Sequence, residues 1–477
     1  MAAFLTLPTM SSSAGPPLET LKVGRPHPPL ALWTIERDRP VSLDALRGQK
    51  VLLVHFASWC EASREPVSAW FERTRTHVAA KKVVVLGVDH EQHADRGRLF
   101  AQWRGLTGPI LHDPLDLSLV TELPMVVAID EEGVVRAIQP SLDKIEKTFI
   151  NKKSKKKNIP KPEEAELPDP RVTRRTAEEA REPSASRAHA DALVLSGLPP
   201  QIDEAIKVYR EVIAIDPKEA WSLFRLGVAY RIRYEREERQ PDDFQAAVDA
   251  WSQAVRFAPT NAIFRQRLQQ YGPAIEDSRP SYEWILAARQ DLARRGQQPI
   301  ALENEPLAME LSAGPVRGSK NAAPTKGKHP SDHGGQMMIE TTVVRAADAK
   351  HANKAEVHVT LRPSGVQWED GKAPLRIWFE KSKSARPERA YLEFPKANPA
   401  SGSEARTISF LVELTSKSKT PRGTLKGEAV YSFRSGDEVK TVRQEFKVSI
   451  GGKPEGTLAG TDAPTAANGG NDGARGR

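Results

Sequence analysis

Val54-His55-Phe56-Ala57-Ser58-Trp59-Cys60-Glu61-Ala62-Ser63-Arg64-Glu65-Pro66 decides how the first part of this chain folds. The apolar run from Lys50 to Phe56 reads as a buried strand, and the pattern from Glu65 to Ala79 reads as a helix. The short polar turn between them therefore sets Cys60 at a helix N-terminus. There the unpaired backbone N–H groups and the helix dipole favour thiolate over thiol, which supplies a nucleophile near neutral pH. Trp59 is expected to shield one side of the sulfur. Glu61 and Glu65 read as solvated carboxylates that oppose the thiolate by like charge.

Outward from this turn, Lys82 to Val88 and Met125 to Ile129 are further apolar runs, with a helical pattern between them from Arg96 to Arg104. Strands alternating with helices imply an α/β unit around a largely buried sheet. The 477 residues are 39% apolar with 37 prolines, which leaves room for cores plus disordered connections and argues against one long coiled coil. Length gives a prior of about three domains. A single Cys excludes an internal disulfide and a Cys-rich zinc site. The net charge of +8 is mild for this length and implies no nucleic-acid partner. No run of about 18 apolar residues is present, so no integral membrane segment is expected. The start has an apolar stretch, Ala2 to Leu7, without a preceding positive residue, which makes a poor secretory signal, and no Cys stands near it for a lipid anchor.

The strand, Ala57-Ser58-Trp59-Cys60, and the helix with Arg64-Glu65-Pro66 together resemble the thioredoxin-like fold of redoxin and TlpA-type thiol-disulfide oxidoreductases. Two further stretches agree with it. Leu123-Pro124-Met125-Val126-Val127-Ala128-Ile129-Asp130-Glu131-Glu132-Gly133-Val134-Val135-Arg136 is similar to the family's cis-proline strand, turn and returning strand, and Gly108-Pro109-Ile110-Leu111-His112-Asp113 to the segment before it. The resemblance spans residues 21–147. It implies a site of Cys60, Ser63, Trp59 and Pro124, with a cis peptide at Pro124 that holds an extended edge beside Cys60 for a substrate peptide. It also implies partners that are protein thiols or disulfides.

The sequence departs from this family where Cys-x-x-Cys is the rule, because here it reads Cys60-Glu61-Ala62-Ser63. Without a second thiol, a mixed disulfide on Cys60 has no internal resolution. Either an external thiol resolves it, or the domain traps partners, or catalysis has been lost; Ser63 is placed to donate a hydrogen bond to Cys60. A peroxiredoxin mechanism is disfavoured, since Leu53 and Ala57 stand where that family has Pro and Thr or Ser. His90 and His93 have metal-ligand spacing only on a helix, and a surface loop is the preferred reading. No metal and no cofactor are expected.

The middle of the chain carries a repeat. Ala205, Tyr209, Val212 and Pro217 are spaced like Ala247, Trp251, Ala254 and Pro259, and Leu223, Leu226, Gly227 and Tyr230 supply a facing helix. This resembles the tetratricopeptide repeat, with packing roles for the aromatics and a protein partner docked on the helices. Arg233 to Gln240 departs as a charged insertion, and the opening helix near Leu193 to Gly197 fits poorly. The C-terminal part alternates with period two, as in Glu356 to Leu361 and Glu445 to Ile450, and reads as an antiparallel sandwich. Trp368 and Trp378 read either as an exposed aromatic edge there or as strand core.

The expected organisation is a disordered start (1–20), a thioredoxin-like domain (21–147), a basic Pro-rich linker (148–187), a helical domain (188–292), a linker (293–336), a β-sandwich (337–451) and a disordered tail (452–477). Within the linker, Lys152 to Lys157 reads as a solvated spacer. The leading function is thiol-disulfide exchange or thiol-dependent capture of a partner; the alternative is a non-enzymatic interaction scaffold with a vestigial redox fold. The resemblance favours export, while the start of the sequence favours the cytoplasm.

Overall fold

The computed structural model describes residues 21–152, 182–273, 282–302, 317–319, 329–332, 335–346, 349–369, 374–393, 405–415 and 422–451. The expected disordered start and tail lie outside these residues, as does most of the basic linker, including its lysines from Lys153 onward.

The N-terminal unit runs β1 (Ala31–Trp33), β2 (Pro40–Ser42), β3 (Val51–Phe56), α1 (Glu61–Ala79), β4 (Val84–Asp89), α2 (Ala94–Arg104), β5 (Ile110–His112), β6 (Met125–Ile129) and β7 (Val135–Ile138). Its sheet has the order β5-β4-β3-β6-β7. β3, β4 and β5 are parallel, while β6 runs antiparallel to both β3 and β7. Every residue of β3 and β6 is buried, as strands covered on both faces require. The hairpin of β1 and β2 escapes sequence reading because three-residue strands show no periodicity.

Among the described residues, six helices follow: α3 (Pro183–Ser196), α4 (Pro199–Ile215), α5 (Ala220–Tyr234), α6 (Asp243–Phe257), α7 (Ala262–Gln269) and α8 (Trp284–Arg294). The repeat spacing places Tyr209 on α4 and Trp251 on α6, both fully buried. Gly227 on α5 is needed for that packing, since a Cβ there would lie 2.4 Å from Trp251 Nε1. The indole instead donates to Phe224 O at 3.1 Å. The opening helix, despite its poor pattern, forms and is anchored through Asp191, which accepts from Tyr209 Oη at 2.6 Å and Arg225 Nη1 at 2.7 Å. The charged insertion also turns partly inward, with Arg233 bound to Asp243 and Asp203.

The C-terminal unit has β8 (Arg317–Ser319), β9 (Met337–Arg345), β10 (Lys354–Pro363), β11 (Gln367–Trp368), β12 (Arg376–Phe379), β13 (Ala385–Pro387), β14 (Tyr391–Glu393), β15 (Arg406–Leu414), β16 (Gly423–Ser435) and β17 (Glu438–Ile450). Among the described residues these strands pair antiparallel, in a four-stranded sheet β13-β15-β10-β9 and a six-stranded sheet built on β16, with one isolated parallel bridge from Ser331 to Arg443. Trp368 and Trp378 are both buried, so they form no exposed edge.

The N-terminal and helical units share one continuous hydrophobic core, and the β unit has its own. Trp103 of α2 stacks on Trp284 of α8, with centroids 5.6 Å apart, and donates to Asp291. The β unit meets the helices through His358, which bonds Tyr271 O at 2.7 Å, and through Gln245, which bonds the backbone of Val343 in both directions. Among the described residues no helix is long and apolar enough to cross a membrane.

Candidate functional site

β3 delivers the chain into a turn closed by Cys60 N donating to Ala57 O at 3.1 Å, and α1 begins at the next residue. Cys60 is the N-cap of α1, in an extended conformation, and its side chain makes no capping bond. The sulfur is buried, the residue being 6% exposed, and the nearest acceptor is Leu123 O at 3.8 Å. The Leu123–Pro124 peptide is cis. Gln139 holds the following backbone, donating to Pro124 O and accepting from Val126 N. β6 lies inside the sheet between β3 and β7, and Leu123, whose carbonyl meets the sulfur, stands ahead of its ladder.

The structure brings Cys60, Trp59, Ser63 and Pro124 to one place, but the expected bond from Ser63 to the sulfur is absent. Ser63 N donates to Cys60 O at 3.0 Å, as the first turn of α1 dictates, while its buried Oγ has no hydrogen-bond partner. Trp59 is 1% exposed, and its indole N–H is likewise unpartnered. Glu61 and Glu65 are exposed.

Sequence reading missed Glu91. Fully buried at the end of β4, it accepts from Ser58 N (2.8 Å) and Trp59 N (3.2 Å) through Oε1, and from Tyr282 Oη (2.6 Å) through Oε2. One carboxylate thus ties the Cys60 turn to the segment entering α8. No local pattern announces this, because Tyr282 is 191 residues away in sequence.

The surface-loop reading of His90 and His93 is corrected: both are buried, at 1% and 7% exposure. The helical unit covers them. Arg267 of α7 donates to His90 O at 3.0 Å, and His93 faces Glu235 at 3.2 Å. His90 Nε2 bonds His55 Nδ1 at 3.1 Å. Burial pushes His90 down to about 4, with Asp113 opposing and Arg267 reinforcing that shift. Burial likewise holds His55 well below the usual histidine range, and the neighbouring His90 adds to it. For Asp116, burial and then Asp113 raise the carboxyl well above its ordinary value. Burial at the junction thus works against the charged form of each of these three groups.

Over 124 residues the chain is 30% identical to the thioredoxin-like protein YneN of Bacillus subtilis (strain 168), a match covering 25% of this chain and 71% of that protein. The chain belongs to the thioredoxin-like family. A TPR repeat model matches residues 201–231, within α4 and α5. Among solved structures, the thioredoxin domain of a thiol-disulfide oxidoreductase from Bacteroides vulgatus is similar at 17% identity, covering 27% of this chain and 98% of that one with a TM-score of 0.25. A thiol:disulfide interchange protein from Bacteroides sp. is similar at 16% identity, covering 28% and 94%, also with a TM-score of 0.25. The thioredoxin-like domain here carries a single buried Cys60 in a Cys-x-x-Ser setting, without a resolving cysteine.

Proposed function

We propose that this protein is an interaction scaffold in which the tetratricopeptide-like helices clamp a thioredoxin-like domain that no longer turns over thiols. The observation that carries this reading is Glu91. Its carboxylate spans from the Ser58 and Trp59 amides to Tyr282, fixing the turn that a reacting cysteine needs to open. With the sulfur buried and Ser63 in place of a resolving thiol, attack on an outside disulfide is hindered and has no internal exit step. The helical unit uses much of its surface in cis, through Arg225 and Arg267 toward the thioredoxin-like domain and Gln245 toward the β unit. A protein partner docks on the helical surface left open.

A second reading, thiol-dependent capture of a protein partner, draws support from the position of Cys60 at the head of α1 beside the cis peptide. Two measurements on the full chain separate the readings. Iodoacetamide should label native Cys60 at least tenfold more slowly than Cys60 in urea, and the protein should not reduce insulin with glutathione as the resolving thiol. Native labelling at the unfolded rate, or sustained insulin reduction, overturns the scaffold. A reductant-sensitive adduct lost in Cys60→Ser would establish capture in its place.

A further inference from the structure

Beneath the Cys60 turn, at the junction with the helices, three potential ligand atoms from His90, Asp113 and Asp116 lie within 4.8 Å of one another, all in buried residues. His90 Nδ1 and Asp116 Oδ1 are 3.6 Å apart. His90 Nδ1 has no hydrogen-bond partner, and the Asp116 carboxyl, only 1% exposed, makes no well-formed bond, drawing only on the Val120 backbone. A buried imidazole nitrogen and carboxyl so thinly served are costly and leave room for an occupant. Asp113 is already oriented, accepting from Leu117 N and Ser118 N, one on each oxygen, and keeps lone pairs for a further contact.

The histidine is set up as a ligand would be. When its Nε2–H donates to His55 Nδ1, the lone pair of Nδ1 is left pointing toward the carboxylates, the arrangement that orients metal-binding imidazoles. That lone pair faces Asp116 Oδ1 at 3.6 Å, a gap in which either a cation or a carboxyl proton is favourable. Two ligands bonded at about 2.0–2.1 Å around one tetrahedral ion stand roughly 3.3–3.4 Å apart, so this pair needs to close by only a few tenths of an ångström to bind one. Arg225 and Arg267 come close, but their hydrogen bonds run to Asp191, Gln92 and the carbonyls of Leu115, Asp116 and His90, not to the Asp116 carboxyl.

We propose that His90, Asp113 and Asp116 bind one divalent first-row transition ion, with water completing the coordination, and that this ion locks the thioredoxin-like domain to the helices. One nitrogen and carboxylate oxygens form a borderline donor set that suits zinc or manganese better than calcium. The site is independent of any reaction at Cys60.

The test uses the full chain, stripped with a chelator in urea and refolded with or without Zn2+, with metal content read by mass spectrometry. About one equivalent should be retained after gel filtration, with a raised thermal midpoint, as ligand binding to the native state requires. Asp116→Asn and His90→Gln should each lower retained metal at least tenfold and abolish the thermal response, while Cys60→Ser changes neither. Co2+ provides a readout on the wild-type chain alone, through ligand-field bands without a thiolate charge-transfer band. Failure of the refolded wild type to retain Zn2+ or give the Co2+ bands overturns the proposal, as does undiminished retention in a folded Asp116→Asn variant.

Discussion

Two turns leave the same end of neighbouring parallel strands, and they use polar groups in opposite ways. The turn after β3 carries Trp59, Cys60 and, one helical turn on, Ser63; the turn after β4 carries His90, Glu91, Gln92 and His93. Both are buried. In the first, the side-chain polar atoms of Trp59 and Ser63 go unpartnered, and the sulfur has one long contact. In the second, Arg267, Glu235 and Tyr282 arrive from the helical unit to meet backbone and side chains. Burying polar groups stabilises only when they are partnered. The turn that joins the helices thus gains polar partners from outside its own domain, though His90 Nδ1 and Gln92 Nε2 within it stay unpartnered, whereas the Cys60 turn reaches the helices through Glu91.

The largest effect should come from the junction. Arg225 is buried, pairs with Asp191 and donates to the carbonyls of Leu115 and Asp116 across the domain boundary. Arg225→Ala leaves Asp191 as an uncompensated buried charge, so urea unfolding of the full chain should show a loss of about 3–5 kcal/mol. A loss below about 1 kcal/mol would show that the two units hold together without this residue.

Next comes the bond that links the two turns. Tyr282→Phe removes only the hydroxyl that donates to Glu91 Oε2. The expected cost is about 1.5–3 kcal/mol, because the acceptor is a buried carboxylate. Cys60 alkylation should also quicken, since Glu91 then holds Ser58 and Trp59 less firmly. A destabilised variant with unchanged alkylation would mean that the turns are mechanically separate, leaving the clamp without its proposed effect on the thiol.

The same contrast explains what the sequence reveals. The Cys60 turn is legible because strand, turn and helix are set by adjacent residues, and the repeat is legible because Gly227 and Trp251 must meet at a fixed spacing. Glu91 and the burial of His90 and His93 are not, because their partners Arg267, Tyr282 and Glu235 lie more than a hundred residues away. Asp191 is hidden likewise: a polar residue in a poorly patterned helix gains its role only when Tyr209 and Arg225 converge on it.

The junction with the β unit supplies a pH test lying outside both turns. Burial raises Asp249 of α6 to about 6, against the hydrogen bond from Gln245 that lowers it. A folded-state value above the ordinary 3.8 means that the native state holds this proton more tightly. The associated stability is present at low pH and is lost as pH rises from 3.8 through about 6. Asp249→Asn should therefore gain about 1–2 kcal/mol over wild type at pH 7 and nothing near pH 3.5, in paired urea melts. An equal gain at both pH values would assign the effect to packing.

The smallest expected change is also the sharpest test of the Cys60 turn. Ser63 Oγ is fully buried and unpartnered, so its removal takes away a desolvated hydroxyl and breaks no hydrogen bond. Ser63→Ala should shift stability by less than about 1 kcal/mol, toward stabilisation, since an unmade buried bond is a cost that the variant no longer carries. Its alkylation profile against pH should overlay the wild type, because the hydroxyl does not reach the sulfur. A hydroxyl that stabilises the thiolate would give the opposite pair of results, with slower alkylation near neutral pH and a less stable fold. Slower alkylation together with lost stability would count the turn as a working redox site, whereas an unchanged alkylation profile with a small gain in stability counts it as the inherited frame of one.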